Sequence, residues 1–103
     1  MNPFEMLKNV QQLKDKSKDF QKQLEAITAT GSAGGRMVNV TLNGKFEMID
    51  IELDPICVDN RDIQMLRDLI LAAYKDALSN VSELVQDKTK EMLGGLDLSS
   101  LGL

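Results

Sequence analysis

Five lysines close together near the start of the chain are the residues whose type and spacing best fit a binding chemistry. They are Lys8, Lys14, Lys16, Lys18 and Lys22. Ammonium groups presented along one element contact phosphates, and such binding depends strongly on salt and carries little sequence information. The alternative is that these lysines only solvate a helix, which is the usual role of a run of charges.

The charge balance limits where a polyanion can bind. The chain has 103 residues and carries 12 Lys and Arg against 16 Asp and Glu, a net charge of −4. A surface that is basic all over, as in many nucleic-acid-binding proteins, is therefore excluded. Residues 1–30 hold five lysines against four acidic residues, whereas the rest of the chain is net acidic. Any contact with a polyanion is expected to be local and to involve residues 1–30.

Catalytic and metal chemistry find little support. Histidine is absent, which removes the commonest general base and the commonest zinc ligand. Cys57 lies between two apolar residues and is expected to be a small buried side chain that forms no internal disulfide, as suits a reducing cytosol. Asp50, Glu52 and Asp54 share one strand face, without the spacing of a calcium loop. We expect no enzyme activity, no cofactor, no metal and no small-molecule substrate.

The lysines must be positioned by a helix over residues 4–27. Apolar residues recur there at steps of four and three, which predicts a helix with the narrow apolar seam of a coiled coil. The seam consists of Met6, Val10, Leu13, Phe20, Leu24 and Ile27, with Ser17 in the gap. Asn2 is expected to cap the helix and Pro3 suits its first position. The lysines lie off the seam.

The middle of the chain changes to a period of two and predicts a three-stranded antiparallel sheet. Residues 27–33, 38–42 and 49–53 are the predicted strands. Asn43 and Gly44 predict a two-residue hairpin, because both turn positions of such a hairpin need positive φ. The reversed parity at Met48 predicts either a bulge or a strand covered on both faces.

A second helix follows the sheet, which Pro55 ends. Asp59 or Asn60 is predicted to cap this helix, and the glycine pair 94–95 to stop it. Residues 63–78 are apolar nearly all round. This half of the helix is therefore expected to face more than one neighbour.

These elements predict an α+β chain with a long N-terminal helix, a three-stranded antiparallel sheet and a long C-terminal helix. We assign one domain to residues 1–93 and a flexible tail to residues 94–103. The helices would be about 35 Å and about 50 Å long, whereas a compact domain of this size has a radius of gyration of about 13 Å. The helices are therefore expected to project. Exposed sheet edges and the apolar second helix favour a homodimer with projecting helical arms.

Pairing the two helices as an antiparallel hairpin would bring the start of the first near the end of the second. Lys8 and Lys14 would then share the tip of an arm with Lys88 and Lys90, far from the acidic sheet. The candidate phosphate-binding residues are therefore Lys8, Lys14, Lys16, Lys18, Lys22, Lys88 and Lys90. Two such arms of a dimer could lie along a duplex.

Four stretches carry a family resemblance in their order and spacing. They are LKNVQQLKDKSKDFQKQL, TGSAGGRMVNVTLNG, IDIELDP at Ile49–Pro55 and MLRDLILAAYKDAL at Met65–Leu78. Over residues 4–95 the chain resembles the YbaB/EbfC family of nucleoid-associated DNA-binding proteins. The resemblance implies a tweezer-shaped homodimer of α–β–β–β–α chains in the cytoplasm and nucleoid. It further implies binding to duplex DNA, roles in chromosome organisation and gene expression, and no cofactor.

An alternative function is that of a helical-arm interaction module, such as a small holdase chaperone of the prefoldin type. Such proteins expose apolar residues at the tips of helical arms, where Met1, Phe4, Met6, Met92 and Leu93 would cluster.

No apolar run reaches the length of a membrane span, and the start of the chain does not resemble a signal peptide. A cytoplasmic location without a membrane partner is expected.

Overall fold

The structure, a computed structural model, describes residues 2–92 and consists of two long helices joined by a small sheet. The elements are α1 (Pro3–Ala26), β1 (Thr28–Ala33), β2 (Val38–Asn43), β3 (Met48–Leu53), a 3₁₀ turn (Pro55–Cys57) and α2 (Ile63–Met92). The strands form one antiparallel sheet in the order β1-β2-β3. The predicted α+β fold is confirmed. The predicted tail, residues 94–103, lies outside the described residues.

One face of the sheet is covered by α2, and the core lies between them. Alternate residues of β2 point into this core, as their period of two predicted. On α2, small residues spaced by four face the sheet. The fully buried side chains of β2 and α2 are Val38, Val40, Leu42, Ala73, Ala77 and Val81. Because two of the three helix positions are alanine, the backbone of α2 lies close to the strands.

Gly31 in β1 marks this close approach. A Cβ atom at Gly31 would lie 2.5 Å from the carbonyl oxygen of Ala73 and would overlap the amide nitrogen of Ala77. Any side chain at this position would therefore push α2 off the sheet. A glycine inside a strand often indicates that another backbone passes closely, and α2 is that backbone here.

Two hydrogen bonds fix the direction of α2 along β1. The backbone N–H of Ser32 donates to Oδ2 of Asp76 at 3.0 Å. The side-chain amide of Asn80 donates to the carbonyl oxygen of Thr30, also at 3.0 Å. Since the later strand residue meets the earlier helix residue, β1 runs antiparallel to α2. The start of β1, where α1 is attached, therefore lies at the end of the core where α2 leaves the sheet.

The end of α1 is held by Gly44, which follows β2. The N–H of Gly44 approaches two carbonyl oxygens, those of Leu24 at 2.9 Å and Ile27 at 3.0 Å. A Cβ atom at Gly44 would lie 2.5 Å from the Leu24 oxygen. Gly44 is thus needed for contact with α1. Its predicted positive φ is wrong, because within this connection only Phe46 has a positive φ, of 64°.

The connection between β2 and β3 is a four-residue loop, residues 44–47, rather than the predicted two-residue hairpin. The side-chain oxygen of Asn43 accepts hydrogen bonds from the N–H groups of Lys45 at 2.9 Å and Glu47 at 3.0 Å. Asparagine commonly closes turns through its side chain in this way. The Asn-Gly pair therefore located the turn correctly but predicted the wrong conformation.

The predicted bulge is confirmed in the pairing of β3 with β2. Thr41 pairs with Asp50 whereas Leu42 pairs with Met48, so Ile49 is the extra residue. The bulge places Met48 on the same sheet face as Leu42. This shift explains why the apolar pattern of β3 changes parity at Met48.

The predicted cap of α2 is wrong by two or three residues. Asp62 provides the cap, because its Oδ1 accepts a hydrogen bond from the N–H of Met65 at 3.0 Å. Asp59 instead closes a turn before the helix by accepting from the N–H of Arg61 at 2.9 Å.

α1 projects from the core. It has no buried residue, and its contact with the sheet involves its last turn. The radius of gyration is 19.9 Å and the longest dimension is 69 Å, compared with about 13 Å for the radius of gyration of a compact domain of this length. The predicted pairing of α1 along α2 is not found within one chain, since the two helices form no extended interface in residues 2–92.

The close approach at Gly31 predicts that Gly31→Ala destabilises the fold. The added methyl group overlaps the α2 backbone, and such overpacking should lower the free energy of unfolding by about 3 kcal/mol. Urea denaturation followed by circular dichroism measures the change. Gly35→Asn is the matched control. A Cβ at Gly35 meets nothing within 4 Å, and asparagine tolerates the positive φ there. Equal stability of Gly31→Ala and the parent would contradict this packing.

Candidate nucleic-acid interface

All five predicted lysines of α1 are exposed on the projecting helix. They are Lys8, Lys14, Lys16, Lys18 and Lys22. None of them forms an ion pair with another described residue. By contrast Lys45, near the attachment of α1, pairs with Glu25 at 3.3 Å. The amino groups of α1 therefore face solvent without a protein partner among residues 2–92.

Three of these lysines form a row along one side of α1, which we call the basic row. Lys14, Lys18 and Lys22 are spaced by four residues, so each lies one helical turn above the last. Like charges at this spacing destabilise a helix by about 0.2–0.5 kcal/mol per pair. A helix that only needed to be soluble would gain from opposite charges at these positions. Lys14 has no acidic residue at a spacing of three or four, so an external anion is the favoured partner at this end of the basic row.

Lys88 and Lys90 lie in the last turns of α2 and differ in their surroundings. Lys88 is half-buried, and its Nζ lies 3.9 Å from Oε2 of Glu91. Lys90 is exposed. Lys88 is thus partly neutralised by its own helix, and Lys90 is the freer of the two.

The helix lengths do not bring these two lysines to a common tip with Lys8 and Lys14. The core contacts of α2 run from Leu66 to Val85, and Lys88 lies only about 5 Å beyond Val85 along the helix axis. Lys8 lies about 27 Å along α1 from its end at Ala26. The two helices leave the core at the same end, so Lys8 extends farther out than Lys88. The predicted common tip is wrong because most of α2 is used to cover the sheet.

Arg61 is occupied by an acidic partner. Its Nε and one terminal nitrogen each lie 3.0 Å from a different carboxylate oxygen of Asp59. This hydrogen bonding lowers the pKa of Asp59 below its ordinary value and raises the pKa of Arg61. Both groups are therefore charged at neutral pH, and the attraction between them is lost as the pH falls through the lowered pKa of Asp59. Arg61 thus differs from the lysines of α1 in already having a carboxylate partner.

A second feature, which the sequence analysis did not locate, is an apolar surface beside β3 that we call the apolar notch. Met48, Ile51 and Leu53 lie on the face of the sheet that α2 covers, yet they are 39–45% exposed. Asp76 and Asn80 direct α2 towards β1, so the helix lies over β1 and β2 and leaves this face of β3 uncovered. In the sequence, this surface was indicated only by the reversed parity of β3, which places Met48, Ile51 and Leu53 on one face of the strand.

No group of three metal-ligating side chains occurs among residues 2–92. No helix in this part of the chain is long and apolar enough to cross a membrane. The features that remain are a basic helical arm and an apolar surface on an α+β core.

Comparison with known proteins gives the family. The model of the YbaB/EbfC DNA-binding family matches residues 1–96. A nucleoid-associated protein of Chlorobium phaeobacteroides is 40% identical over 92 residues, which are 89% of this chain and 81% of that protein. A nucleoid-associated protein of Afipia carboxidovorans is 38% identical over 98 residues, covering 95% and 93% of the two chains. The chain belongs to the YbaB/EbfC family, which is not a known class of enzyme.

A solved structure supports the fold. The uncharacterized protein HP0035 from Helicobacter pylori superposes with a TM-score of 0.67. The match covers 90% of this chain and 98% of that one, at 22% sequence identity. The arrangement of helices and strands is thus shared with a protein of quite different sequence.

The basic row predicts that one of its lysines destabilises α1 in the absence of a ligand. Lys14 has Lys18 four residues away and no acidic residue at a spacing of three or four. Lys14→Gln should therefore raise the hydrogen-exchange protection of α1 amides about 1.4- to 2.3-fold, equivalent to about 0.2–0.5 kcal/mol. In the control Lys22→Gln the helix also loses the neighbouring Asp19 and Glu25 as partners, so no gain is expected. Equal protection in the parent and Lys14→Gln would contradict this electrostatic interpretation.

Proposed function

We propose that the protein binds duplex DNA as a homodimer with low sequence specificity, through the lysines of α1. The observation that carries this proposal is the basic row, which is exposed and forms no ion pair among the described residues. Lys8 and Lys16 add charge to the same helix, and Lys88 and Lys90 add charge where α2 leaves the core. Membership of a DNA-binding family supports duplex DNA as the anion.

Phosphate contacts explain the low specificity. Lysine ammonium groups contact the DNA backbone, which is the same for every sequence, and each contact releases counterions. Residues that read base edges in a helix-turn-helix or zinc finger would need a different framework, and the fold of residues 2–92 provides neither. Affinity is therefore expected to fall steeply with salt.

The net charge of −4 does not oppose this proposal, because residues 1–30 hold more lysines than acidic residues and the acidic excess lies in the rest of the chain. Asp50 and Glu52 lie on β3, whereas Lys8 lies about 27 Å along α1 from the attachment of that helix. The Debye length at physiological ionic strength is about 8 Å. Repulsion between the acidic sheet and DNA held by the outer part of α1 is therefore largely screened.

Dimerisation is supported by the apolar notch. Three apolar residues of β3 are 39–45% exposed on the core face of the sheet, and adjacent exposed apolar side chains of this kind mark interaction surfaces. β3 is also an edge strand, with β2 on only one side. A second copy of the chain would cover both features by two-fold pairing, which is the commonest form of oligomer. Two copies would hold two basic arms, and hence a tweezer shape.

The cellular role follows from the proposed binding. The relatives are named nucleoid-associated proteins. We propose the same location for this chain, in the cytoplasm at the nucleoid. A protein that holds duplex DNA without sequence preference would contribute to chromosome organisation and, through it, to gene regulation.

A holdase function is the second candidate, and the exposed seam of α1 favours it. Met6, Val10 and Leu13 are 48–67% exposed. An unfolded client could bind such a seam. Suppression of client aggregation by a protein that does not shift duplex DNA would support this function instead.

The basic row predicts a specific weakening of DNA binding. The triple variant Lys14→Gln/Lys18→Gln/Lys22→Gln should bind duplex DNA more weakly, and the slope of its salt dependence should fall by about 0.9 for each phosphate that is no longer neutralised. Fluorescence anisotropy of a labelled duplex at several salt concentrations measures both quantities. The variant Lys88→Gln/Lys90→Gln should have a smaller effect, because Lys88 already contacts Glu91.

Arg36→Gln is the control for this experiment. Arg36 is exposed in the loop between β1 and β2, at the end of the sheet away from α1. Its removal should leave the salt slope unchanged. A triple variant that binds as tightly as the parent would show that α1 is not the DNA-binding element, and no binding by the parent at micromolar dimer and low salt would contradict the proposed function.

The apolar notch predicts that a charge at Ile51 disrupts the dimer. The parent should sediment at twice the chain mass of 11.4 kDa. Ile51→Lys should weaken dimerisation about 30-fold or more, as expected for a central interface residue worth about 2 kcal/mol. Thr41→Lys is the control, because Thr41 lies on the opposite face of the sheet and pairs with Asp50. A dimer unaffected by Ile51→Lys would exclude the notch as the interface.

A further inference from the structure

Two large apolar side chains in the first turns of α1 are not accounted for by its seam. Phe4 is 77% exposed and Leu7 is 69% exposed. The seam passes through Met6 and Val10, and residues one or two positions apart do not share a helix face. A helix packed along the seam would therefore leave Phe4 in water and would place Leu7, three residues before Val10, at the border of the interface.

Phe4 and Leu7 instead continue the basic row. From Phe4 the steps to Leu7, Gln11 and Lys14 are three, four and three residues, so all four side chains follow one side of α1. Lys18 and Lys22 extend the same line. The acidic residue of the first turn, Glu5, falls outside it. One side of the helix is thus basic along its length and apolar at its outer end.

This outer end has a defined conformation. The side chain of Asn2 caps α1 by accepting a hydrogen bond from the N–H of Glu5 at 2.8 Å, and Pro3 occupies the first helical turn. Pro3, Met6, Leu7 and Val10 line a shallow apolar depression beside the row. The apolar end is therefore presented on a capped helix.

We propose, on the basis of the function proposed above, that Phe4 and Leu7 act as a wedge that inserts between base pairs of the bound duplex and bends it. Lysines that contact phosphates hold this side of α1 against the DNA backbone. The side chains at its outer end then meet the adjacent minor groove. Phenylalanine and leucine are among the residues that unstack base steps there, with bends of about 20–90°. Lys8, four residues after Phe4, lies beside the wedge and contacts a neighbouring phosphate.

The wedge and the phosphate contacts should affect different properties of the complex. Unstacking a base step costs free energy, and burial of the two apolar side chains offsets this cost. Removing the wedge should therefore change the shape of the DNA much more than the affinity. Because no charge is removed, the salt dependence of binding should not change.

The test uses the full-length parent and the double variant Phe4→Ala/Leu7→Ala. Energy transfer between dyes at the two ends of a short duplex measures bending, and the fluorescence of 2-aminopurine in the duplex measures unstacking. The parent should raise both signals. The variant should raise neither, while its affinity stays within about threefold of the parent and its salt slope is unchanged. Both residues are exposed, so the variant is expected to fold.

Met6→Ala/Val10→Ala is the matched control, since it removes two apolar side chains from the same turns but on the seam. It should bend DNA as the parent does. Equal bending by Phe4→Ala/Leu7→Ala, or absence of bending in the seam variant, would overturn the wedge assignment. A parent that binds duplex DNA without bending it would overturn the wedge and leave the proposed function intact. A parent that does not bind duplex DNA would contradict both the wedge and the proposed function.

Discussion

The close approach of α2 to β1 at Gly31 is the contact on which the rest of the structure depends. Gly31, Ala73 and Ala77 have little or no side chain, so the helix lies almost directly on the strand. Hydrogen bonds between β1 and the side chains of Asp76 and Asn80 hold the helix towards that side of the sheet. One helix is thereby sufficient to bury the apolar face of β2. The same placement leaves β3 uncovered, because a helix that lies over β1 and β2 does not reach the third strand.

This packing also decides where the charges lie. β1 runs antiparallel to α2, so α1 and the last turns of α2 leave the core at the same end. α1 is then attached by one turn, where Gly44 donates to the carbonyl oxygens of Leu24 and Ile27. Because α1 is held only at its end, its lysines are exposed along its length. The helix extends away from the acidic sheet, so a chain with a net negative charge can still present a basic surface. The arm therefore depends on a core that it scarcely contacts.

Local patterns predicted the elements well, and the misses have physical reasons. The seam of α1, the alternation of β2 and the parity change at Met48 are periodic, and periodicity is a property of the chain itself. The Asn43-Gly44 hairpin was wrong, because Gly44 is required for its approach to α1 rather than for its φ. The cap of α2 was placed too early, because several acidic residues precede that helix and only their geometry distinguishes a turn from a cap. The common tip was wrong because the length of α2 lying on the sheet cannot be counted from its periodicity.

The amino-acid sequence by itself determined the family, the α+β order of elements and the lysine-rich helix, because these are expressed in residue type and local spacing. Tertiary structure alone decided that α1 stands away from α2, that the apolar face of β3 is left open, and that Lys8 extends beyond Lys88. Each of these depends on which surfaces of distant segments meet. Gly31, Ala73 and Ala77 are small enough for the backbones of α2 and β1 to pack closely, and this contact fixes the position of α2 on the sheet.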